Sequence, residues 1–324
     1  MTDDSFMGLR FVGQAEMDEL LDFASLVEAL EEAHKTPIAE VGRIVQEQVA
    51  EPGPNHFLSL PAWDPGRHLG IKLVTSFPGN EARPEGLPTV QALYVLFEGT
   101  CGRPVAILDG TALTPWKTAA DSALGVKLLA PSEPESLLMV GAGVMADALI
   151  RAHKAVRPSL VKVRIWNRTA AKASALAESL MLDGVEIAQT DDLEAAVREA
   201  DVISCATGSR APLIEGDWLR PGQHIDLVGG FMPEMREVDD GVCKRARLFV
   251  DTRRFTVEEC GDLMAPLASG AITEADVLGN LFELCQSKVV GRTADQDITL
   301  MKNGGGAHLD LMTAQHIAAR LGIG

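Results

Sequence analysis

A glycine turn near the middle of the chain constrains the fold more than any other segment. The apolar run 137–140 leads into a G-x-G-x-x-A turn that begins at Gly141, and residues 145–155 then show helical spacing. A strand, such a turn and a helix in this order are typical of a dinucleotide-binding unit, because the glycines let backbone N–H groups approach a pyrophosphate. The helix N-terminus adds further N–H groups and the positive end of its dipole. The predicted contacts with a dinucleotide are Gly141, Gly143, Val144 and Met145.

The end of the next predicted strand indicates which dinucleotide is preferred. Residues 163–166 are strand-like, and Asn167, Arg168 and Thr169 follow them. Sites for NAD usually carry Asp or Glu here, whereas Arg168 can pair with the 2′-phosphate of NADP and its neutral neighbours add no repulsion. The alternative is that Asn167 and Thr169 only cap the helix that begins near residue 170. We predict NADPH as the preferred coenzyme, with NADH also accepted.

Length, charge and cysteine content narrow the class of protein. A chain of 324 residues is long enough for two domains, and its net charge of −17 argues against nucleic acid or an anionic membrane as a partner. The five cysteines are scattered without C-x-x-C spacing, which indicates reduced thiols and no metal site. No apolar stretch is long enough to span a membrane, and the first residues are acidic. We therefore expect a cytoplasmic protein.

The first third of the chain predicts a helix followed by an antiparallel sheet. Helical spacing covers residues 16–34. A further helix over 115–129 ends just before the boundary segment Pro131-Ser132-Glu133-Pro134. This mixture is typical of an α+β domain. The strand-like runs between the two helices, separated by turns with Pro and Gly, are 57–62, 69–77, 90–97 and 104–108.

From residue 136 onward, strands and helices alternate, which is typical of a doubly wound parallel sheet. The predicted strands are 136–140, 161–166, 185–188, 201–205, 224–228 and 247–250. A last amphipathic helix over 307–321 follows three glycines, and we expect it to return to the first domain. The predicted fold is α/β, with an internal Rossmann-type doubly wound parallel sheet at 126–304. A split α+β domain is formed by 1–125 and completed by 305–324.

Three basic residues of the first domain are candidates for an anion site. Lys72 lies among apolar residues in a strand, where a charge is costly unless it is paired or lines a cleft, but strand alternation could equally point it to solvent. Lys117 falls in the first turn of the predicted helix, where the dipole disfavours a cation unless an anion is near. Arg43 follows a loop, and on its own such a residue is more often on the surface.

Two loops supply the remaining candidates. Phe231 follows Gly229-Gly230 after the fifth strand of the second domain, at the sheet edge where ligands bind, and could cover a flat ring. An ordinary turn explains these glycines equally well. His308 and Asp310 lie in the first turn of the last helix. Asp310 favours a helix start there and His308 could donate a proton, with structural roles as the first interpretation of both.

Together these segments resemble the ornithine cyclodeaminase/mu-crystallin family of NAD(P)-dependent enzymes, over nearly the whole chain. The resemblance implies a homodimer assembled through the N-terminal sheet and an active site between the two domains. It also implies that Arg43, Lys72 and Lys117 hold the substrate carboxylate or lie beside the nicotinamide. The segments that carry it are Leu69-Gly70-Ile71-Lys72, Asp109-Gly110, Leu113-Thr114, Lys117-Thr118-Ala119-Ala120, the glycine turn, Asn167-Arg168-Thr169, Pro233 with Arg236-Glu237, Glu259-Cys260-Gly261-Asp262, Gly291-Arg292 and Ile298-Thr299-Leu300-Met301-Lys302.

Two departures from the family pattern bear on the implied reaction. Lys117 stands where the family usually has Arg, so a bidentate grip on a carboxylate becomes a single point charge. Phe231 stands where the cyclodeaminases and alanine dehydrogenases of the family carry Asp, and Phe cannot transfer the protons that cyclisation requires. Reduction of an imine that binds already protonated requires fewer proton transfers from the protein. Around Phe231 the chain is similar to the family branch that reduces Δ1-pyrroline-2-carboxylate to L-proline in hydroxyproline catabolism.

The expected function is therefore NAD(P)H-dependent reduction of a cyclic imino acid, with that substrate and a second copy of the chain as partners. Two alternatives stay open: an ornithine cyclodeaminase or amino-acid dehydrogenase, and a non-catalytic NADPH-dependent binding protein of the mu-crystallin kind. The predicted catalytic residues are Lys72, Lys117, Arg43, Phe231, His308 and Asp310. The predicted coenzyme contacts also include Asn167, Arg168, Thr169, Thr89, Thr207, Val228 and Lys302.

Overall fold

A computed structural model describes residues 9–37 and 40–323, and it divides into two compact units. Unit 1 holds the described residues up to Ala33, those from Pro37 to Lys117 and those from Gly306 onward. Unit 2 holds His34–Thr36 and Thr118–Gly305. The sequence predicts that the second domain begins after residue 125, and the long continuous segment of unit 2 begins after Lys117. Both positions lie inside one unbroken helix, so no turn or change in composition marks the boundary.

Unit 1 is built on a sheet of seven strands within the described residues. The order is β1-β7-β6-β5-β4-β2, with β3 also paired to β4, for the strands β1 (Arg10–Val12), β2 (Glu40–Val41), β3 (Ile44–Gln48), β4 (Asn55–Asp64), β5 (His68–Ser76), β6 (Val90–Glu98) and β7 (Pro104–Asp109). β1 runs parallel to β7, and the other pairs are antiparallel. All four strands that the sequence predicted in this region are present.

Side-chain hydrogen bonds explain where two of the helices of this unit, α2 and α3, begin. They are α1 (Gln14–Leu20), α2 (Phe23–His34), the first part of α3 (Gly110–Leu129) and α11 (Ala307–Leu321). The single helix predicted over 16–34 is wrong, because Asp22 interrupts it and accepts a hydrogen bond from the Ser25 backbone at 2.8 Å. α3 begins five residues before the predicted Pro115, since Asp109 accepts from the backbones of Thr111 and Ala112 at 2.9 and 3.0 Å. Lys117 is therefore not in a first turn.

One face of the unit 1 sheet carries an apolar core. Ala62, Tyr94 and Leu96 point from the strands into this core, and Leu311 and Ile317 cover them from α11. The last helix thus belongs to the first unit through its packing.

Unit 2 is a parallel sheet of eight strands among the residues described. Its order is β10-β9-β8-β11-β12-β15-β13-β14, for the strands β8 (Ser136–Val140), β9 (Lys162–Trp166), β10 (Glu186–Gln189), β11 (Val202–Cys205), β12 (His224–Leu227), β13 (Arg247–Val250), β14 (Val277–Asn280) and β15 (Thr299–Lys302). The strand order reverses between β8 and β11, as in a Rossmann-type sheet. The predicted fold class is confirmed. The strands β14 and β15 were not predicted from the sequence.

Helices follow most of these strands. They are α4 (Val144–Val156), α5 (Ala170–Ser179), α6 (Leu193–Glu199), α7 (Asp240–Arg245), α8 (Arg253–Thr256), α9 (Gly261–Ala268) and α10 (Leu281–Cys285). Short 3-10 turns occupy Pro78–Ala82, Gly216–Trp218 and Glu274–Asp276. In the parts of the chain that the structure describes, we find no helix with the length and apolar character needed to cross a membrane.

Candidate active site: a coenzyme groove and a lysine cluster

The glycine turn of unit 2 has the backbone geometry that a pyrophosphate site needs. Gly141 adopts φ +112°, and a Cβ there would come within 2.6 Å of the Ala206 carbonyl oxygen. A Cβ on Gly143, the N-cap of α4, would meet no atom within 4 Å, so the backbone is open on this side. Ala146 is fully buried where α4 passes over the sheet. The turn is therefore a backbone cradle that fits the phosphates of a dinucleotide.

A groove of about 300 Å³ extends from this turn along three strand ends. Residues 141–143 line it after β8, residues 166–169 after β9 and residues 206–209 after β11, with Lys172 and Leu213 completing the walls. The groove lies at the reversal of strand order between β8 and β11, where doubly wound sheets bind their ligands. Residues that the sequence assigned separately to the coenzyme therefore share one groove.

Asn167 ties the glycine turn to the end of β9. Its Oδ1 accepts a hydrogen bond from the Ala142 backbone at 3.2 Å, and its Nδ2 donates to the Thr169 carbonyl oxygen at 3.0 Å. Thr169 is the N-cap residue of α5, but its side chain makes no capping hydrogen bond. The capping alternative therefore does not account for these side chains. Arg168 and Thr169 are exposed along the groove.

Lys172 is a groove residue that sequence reasoning missed. It lies in the first turn of α5, four positions after Arg168, so the two cations line the same groove. Its place in the first turn of the helix that follows β9, close in sequence to Arg168, was the signal that could have identified it.

A buried polar cluster stands behind the strand ends of unit 2. Lys302 Nζ donates to the carbonyl oxygens of Leu227 and Gly229 and lies 3.4 Å from Asp262 Oδ2. Glu237 Oε1 accepts from the backbone N and the hydroxyl of Thr207 at 2.7 and 2.9 Å. Burial lowers the pKa of the Lys302 amine, but the carboxylates of Asp262 and Glu237 outweigh it and raise that pKa overall.

The other predicted coenzyme residues lie in several places. Lys302 is buried and does not line the groove, because its ammonium is bound to the carbonyls just named. Val228 is half-buried after β12, and its backbone N donates to the Cys205 carbonyl at 2.8 Å. Val144 is exposed and Met145 half-buried at the start of α4. Thr89 belongs to unit 1, where its carbonyl accepts from the Phe77 backbone at 2.8 Å. Direct contact of these residues with the coenzyme stays a prediction.

Two lysines and one aspartate form a buried cluster in unit 1. Asp310 Oδ1 lies 3.1 Å from Lys72 Nζ, and its Oδ2 lies 2.8 Å from Lys117 Nζ. Lys72 also donates to Thr114 Oγ1 at 2.6 Å, and Lys117 to the Gly306 carbonyl at 3.2 Å. Lys72 and Lys117 are only 5% and 7% exposed. The alternative of a solvent-facing Lys72 is therefore wrong, and the anion beside Lys117 is Asp310.

The lysine cluster contains two ammonium groups and one carboxylate, so one positive charge is not neutralised within it. Burial alone would raise the pKa of Asp310, but Lys117 and Lys72 outweigh it and hold that pKa below its usual value. Burial lowers the pKa of Lys72, which Asp310 partly opposes. Each ammonium has three donors and uses two of them in the contacts above. One N–H on each lysine thus remains for an anionic ligand.

The remaining catalytic candidates are His308, Arg43 and Phe231. His308 is buried in the first turn of α11, two residues before Asp310. Arg43 is exposed between β2 and β3. Phe231, in unit 2, is 58% exposed after the positive-φ Gly230. Their roles stay predictions. Within 9–37 and 40–323, no three His, Cys, Asp or Glu side chains are grouped so as to hold a metal ion.

Tyr94 was not predicted and belongs to the same face as Lys72. The two residues are directly opposed in the β5–β6 register, and Tyr94 is fully buried. A Cβ on Gly70 would lie 2.1 Å from the Tyr94 hydroxyl, so this strand position accepts only glycine. The strand pairing that brings Tyr94 beside Lys72 is a property of the sheet, and the local sequence does not specify it.

Proteins of known sequence and structure are similar to this chain over nearly its whole length. The Δ(1)-pyrroline-2-carboxylate reductase of Paracoccus denitrificans is 44% identical over 311 residues, which is 95% of this chain and 96% of that protein. The Δ(1)-pyrroline-2-carboxylate reductase of Thermococcus litoralis in complex with NADH and L-proline superposes with a TM-score of 0.87 at 28% identity, over 98% of this chain and 99% of that one. An archaeal alanine dehydrogenase dimer with bound NAD gives 0.86 at 26%, over 96% and 95% of the two chains.

The family assignment follows from the match along the chain. The model of the ornithine cyclodeaminase/mu-crystallin family covers residues 11–322, which include the glycine turn, the strand end at Asn167 and both lysines of the cluster. This chain belongs to the ornithine cyclodeaminase/mu-crystallin family.

Proposed function

We propose that this protein uses a reduced nicotinamide coenzyme to convert Δ1-pyrroline-2-carboxylate to L-proline. The observation that carries the proposal is the buried Lys72–Asp310–Lys117 cluster, whose single excess positive charge suits one substrate carboxylate. The relatives with this reaction in their names match nearly the whole chain. The glycine turn and groove of unit 2 fit the coenzyme that such a reaction needs.

Reduction of this imine requires little acid catalysis by the protein. A reduced coenzyme held by the glycine turn and groove would supply the hydride needed at the imine carbon that bears the carboxylate. The two free N–H donors of Lys72 and Lys117 hold that carboxylate and fix which carbon is presented. If the substrate binds as the iminium, its nitrogen already carries the proton that proline retains. Phe231, which cannot transfer a proton, is compatible with this reaction.

The reaction is tested by following the loss of reduced-nicotinamide absorbance with Δ1-pyrroline-2-carboxylate. We expect turnover that depends on both substrate and coenzyme, with L-proline as the product. The six-membered homologue, Δ1-piperideine-2-carboxylate, measured in parallel determines the preferred ring size. Oxidation of coenzyme at the rate of the substrate-free blank would contradict the proposal.

The two other functions considered for this chain are not favoured. An ornithine cyclodeaminase would release ammonia from L-ornithine, but Phe231 stands where the cyclodeaminases carry Asp, and phenylalanine cannot transfer a proton. A purely ligand-binding protein would not need the reduced coenzyme to be consumed. The named reductases among the relatives favour catalysis of imine reduction.

We also propose that NADPH binds more tightly than NADH. Arg168 and Lys172 place two cations on the groove, and no carboxylate side chain is among the residues that line it. A 2′-phosphate is favoured by such a pair, whereas the ribose hydroxyl of NADH gains little from it.

Arg168→Ala is expected to weaken NADPH binding about tenfold or more while changing NADH binding less than about twofold. Lys172→Ala should act in the same direction with a smaller effect, because Lys is a single point charge. The dissociation constants of both coenzymes are measured by fluorescence titration. Arg198→Ala, which removes an exposed arginine paired with Glu194 on α6, is the matched control for loss of charge. Equal losses for the two coenzymes would contradict the phosphate contact.

The unit 1 sheet has an apolar face that suits a second copy of the chain. Ile44, Ser59, Leu73 and Leu93 are opposed in register across β3, β4, β5 and β6, on the face opposite Lys72. Ile44 and Leu93 are 59% and 46% exposed. Exposed apolar patches of this kind mark interfaces, and the archaeal alanine dehydrogenase relative is a dimer. We propose a homodimer through this face; the cytoplasmic location stays a prediction.

Leu93→Arg is expected to convert the dimer to a monomer, because it buries an unpaired charge in the contact. Sedimentation velocity gives the mass of the particle. Met181→Arg, at an exposed apolar position of unit 2, should leave the mass unchanged. A wild-type chain that sediments as a monomer would refute the homodimer.

A further inference from the structure

Glu237 does not line the coenzyme groove, but it is hydrogen-bonded to Thr207, which does. Glu237 is fully buried, and its Oε1 accepts from both the backbone N and the hydroxyl of Thr207 at 2.7 and 2.9 Å. Thr207 lines the groove, immediately beyond β11. Thr207 was assigned to the coenzyme from the sequence, but Glu237 was given no role of its own.

These contacts determine which side of the Thr207 hydroxyl is available. A hydroxyl has one proton and two lone pairs. The proton is directed to Glu237, and one lone pair accepts from the Ser209 backbone at 3.3 Å. The second lone pair is therefore left for the groove. Thr207 can accept a hydrogen bond from a ligand there but cannot donate one.

Glu237 is itself held in place from several elements. Its backbone N donates to Asp262 Oδ1 at 2.7 Å, and Lys302 lies beside Asp262. A Cβ on Gly229 would come within 2.4 Å of Glu237 Oε1, so the loop after β12 packs directly on this carboxylate. The position of the Thr207 hydroxyl is thus defined by a rigid arrangement around the strand ends.

The charged and titratable groups that face Glu237 neutralise its negative charge only in part. Lys302 on β15 attracts it, whereas Asp262 on α9 repels it, and the buried Cys205 thiol of β11 offers no charge. Burial is the main cause that raises the pKa of Glu237 to about 7, and Asp262 adds to it against Lys302. Its Oε2 has no hydrogen-bond partner among the described residues. The two hydrogen bonds from Thr207 are the contacts of this side chain that lead to the groove.

We propose that Glu237 is a positioning residue for the coenzyme, which fixes Thr207 as a hydrogen-bond acceptor for an N–H or O–H group of the dinucleotide. The chemistry recognised is a ribose hydroxyl or the carboxamide N–H₂ of the nicotinamide. This inference rests on the proposed coenzyme-dependent function and adds a residue that acts without touching the coenzyme.

The test measures coenzyme affinity without substrate, by fluorescence titration with NADPH. Thr207→Val, which keeps the shape and removes the hydroxyl, and Glu237→Leu are each expected to weaken binding about tenfold. Thr207→Ser and Glu237→Gln retain the hydroxyl and an acceptor oxygen, so both should stay within about threefold of the wild type. Glu234→Gln, an exposed glutamate in the same connection, is the matched control.

The double variant Glu237→Leu with Thr207→Val separates positioning from a general effect on folding. If Glu237 acts through Thr207, the double variant should bind no more weakly than Thr207→Val alone, because the two losses are then one interaction. Additive losses, or an unchanged affinity of Thr207→Val, would overturn the proposal. The latter result stands even if Glu237→Leu fails to fold. A wild-type chain that binds no coenzyme would overturn the proposed function as well.

Discussion

Lys72→Met is expected to lower kcat/KM for Δ1-pyrroline-2-carboxylate by about 100-fold or more. The substitution removes one of the two free N–H donors proposed to bind the substrate carboxylate. It also makes the cluster neutral, since Asp310 then pairs with Lys117 alone. The groove of unit 2 is untouched, so the dissociation constant for the coenzyme should stay within about twofold. Steady-state kinetics and a coenzyme titration on the same preparation provide both measurements.

The stability of this variant distinguishes a functional lysine from a structural one. Burial lowers the pKa of Lys72, so the folded protein bears a cost for the buried ammonium. Methionine removes that cost and leaves a balanced ion pair, so the free energy of unfolding should be unchanged or higher. Lys244→Met, at an exposed site on α7, is the control for loss of a lysine. A variant with wild-type kinetics, or one that loses stability and activity together, would contradict the substrate-binding role.

The sequence was most informative where the chemistry is local. Gly141, Gly143 and Asn167–Thr169 belong to two short strand–turn–helix segments, and the parallel sheet necessarily brings their carboxyl ends to one edge. The fold class followed from the alternation of strands and helices. The predicted helix starts were less accurate, because Pro115 was interpreted as a first helical residue although Asp109 already caps the helix.

Contacts between distant segments could not be predicted in the same way. Lys72 and Asp310 are 238 positions apart, and Lys117 and Asp310 are 193 apart. The sequence indicated a lysine in an apolar strand, a second lysine near a helix start and an aspartate near another helix start. Only the packing of α11 on the unit 1 sheet makes them one cluster. Glu237 was noted only as part of a family segment, since its contact with Thr207 depends on a loop that returns to the end of β11.

Asp310→Asn is expected to be the most destabilising of the changes considered, by about 3–5 kcal/mol in the free energy of unfolding. Asparagine has nearly the same shape, but it leaves the two buried ammoniums of Lys72 and Lys117 with no counter-charge. Urea unfolding near neutral pH measures the loss. Asp183→Asn, at an exposed position, is the control and should change stability by less than about 0.5 kcal/mol.

A double variant and a pH series show whether charge is the cause. Adding Lys72→Met to Asp310→Asn removes one ammonium and should recover part of the lost stability, whereas a purely steric defect would be worsened. The pKa of Asp310 is held below its usual value, so its contribution is complete above the unfolded pKa of about 3.9 and is lost as the pH falls through the folded pKa. The stability difference between the wild type and Asp310→Asn should therefore narrow below about pH 4. A difference that stays constant there would mean that the carboxylate charge does not hold the lysine cluster together.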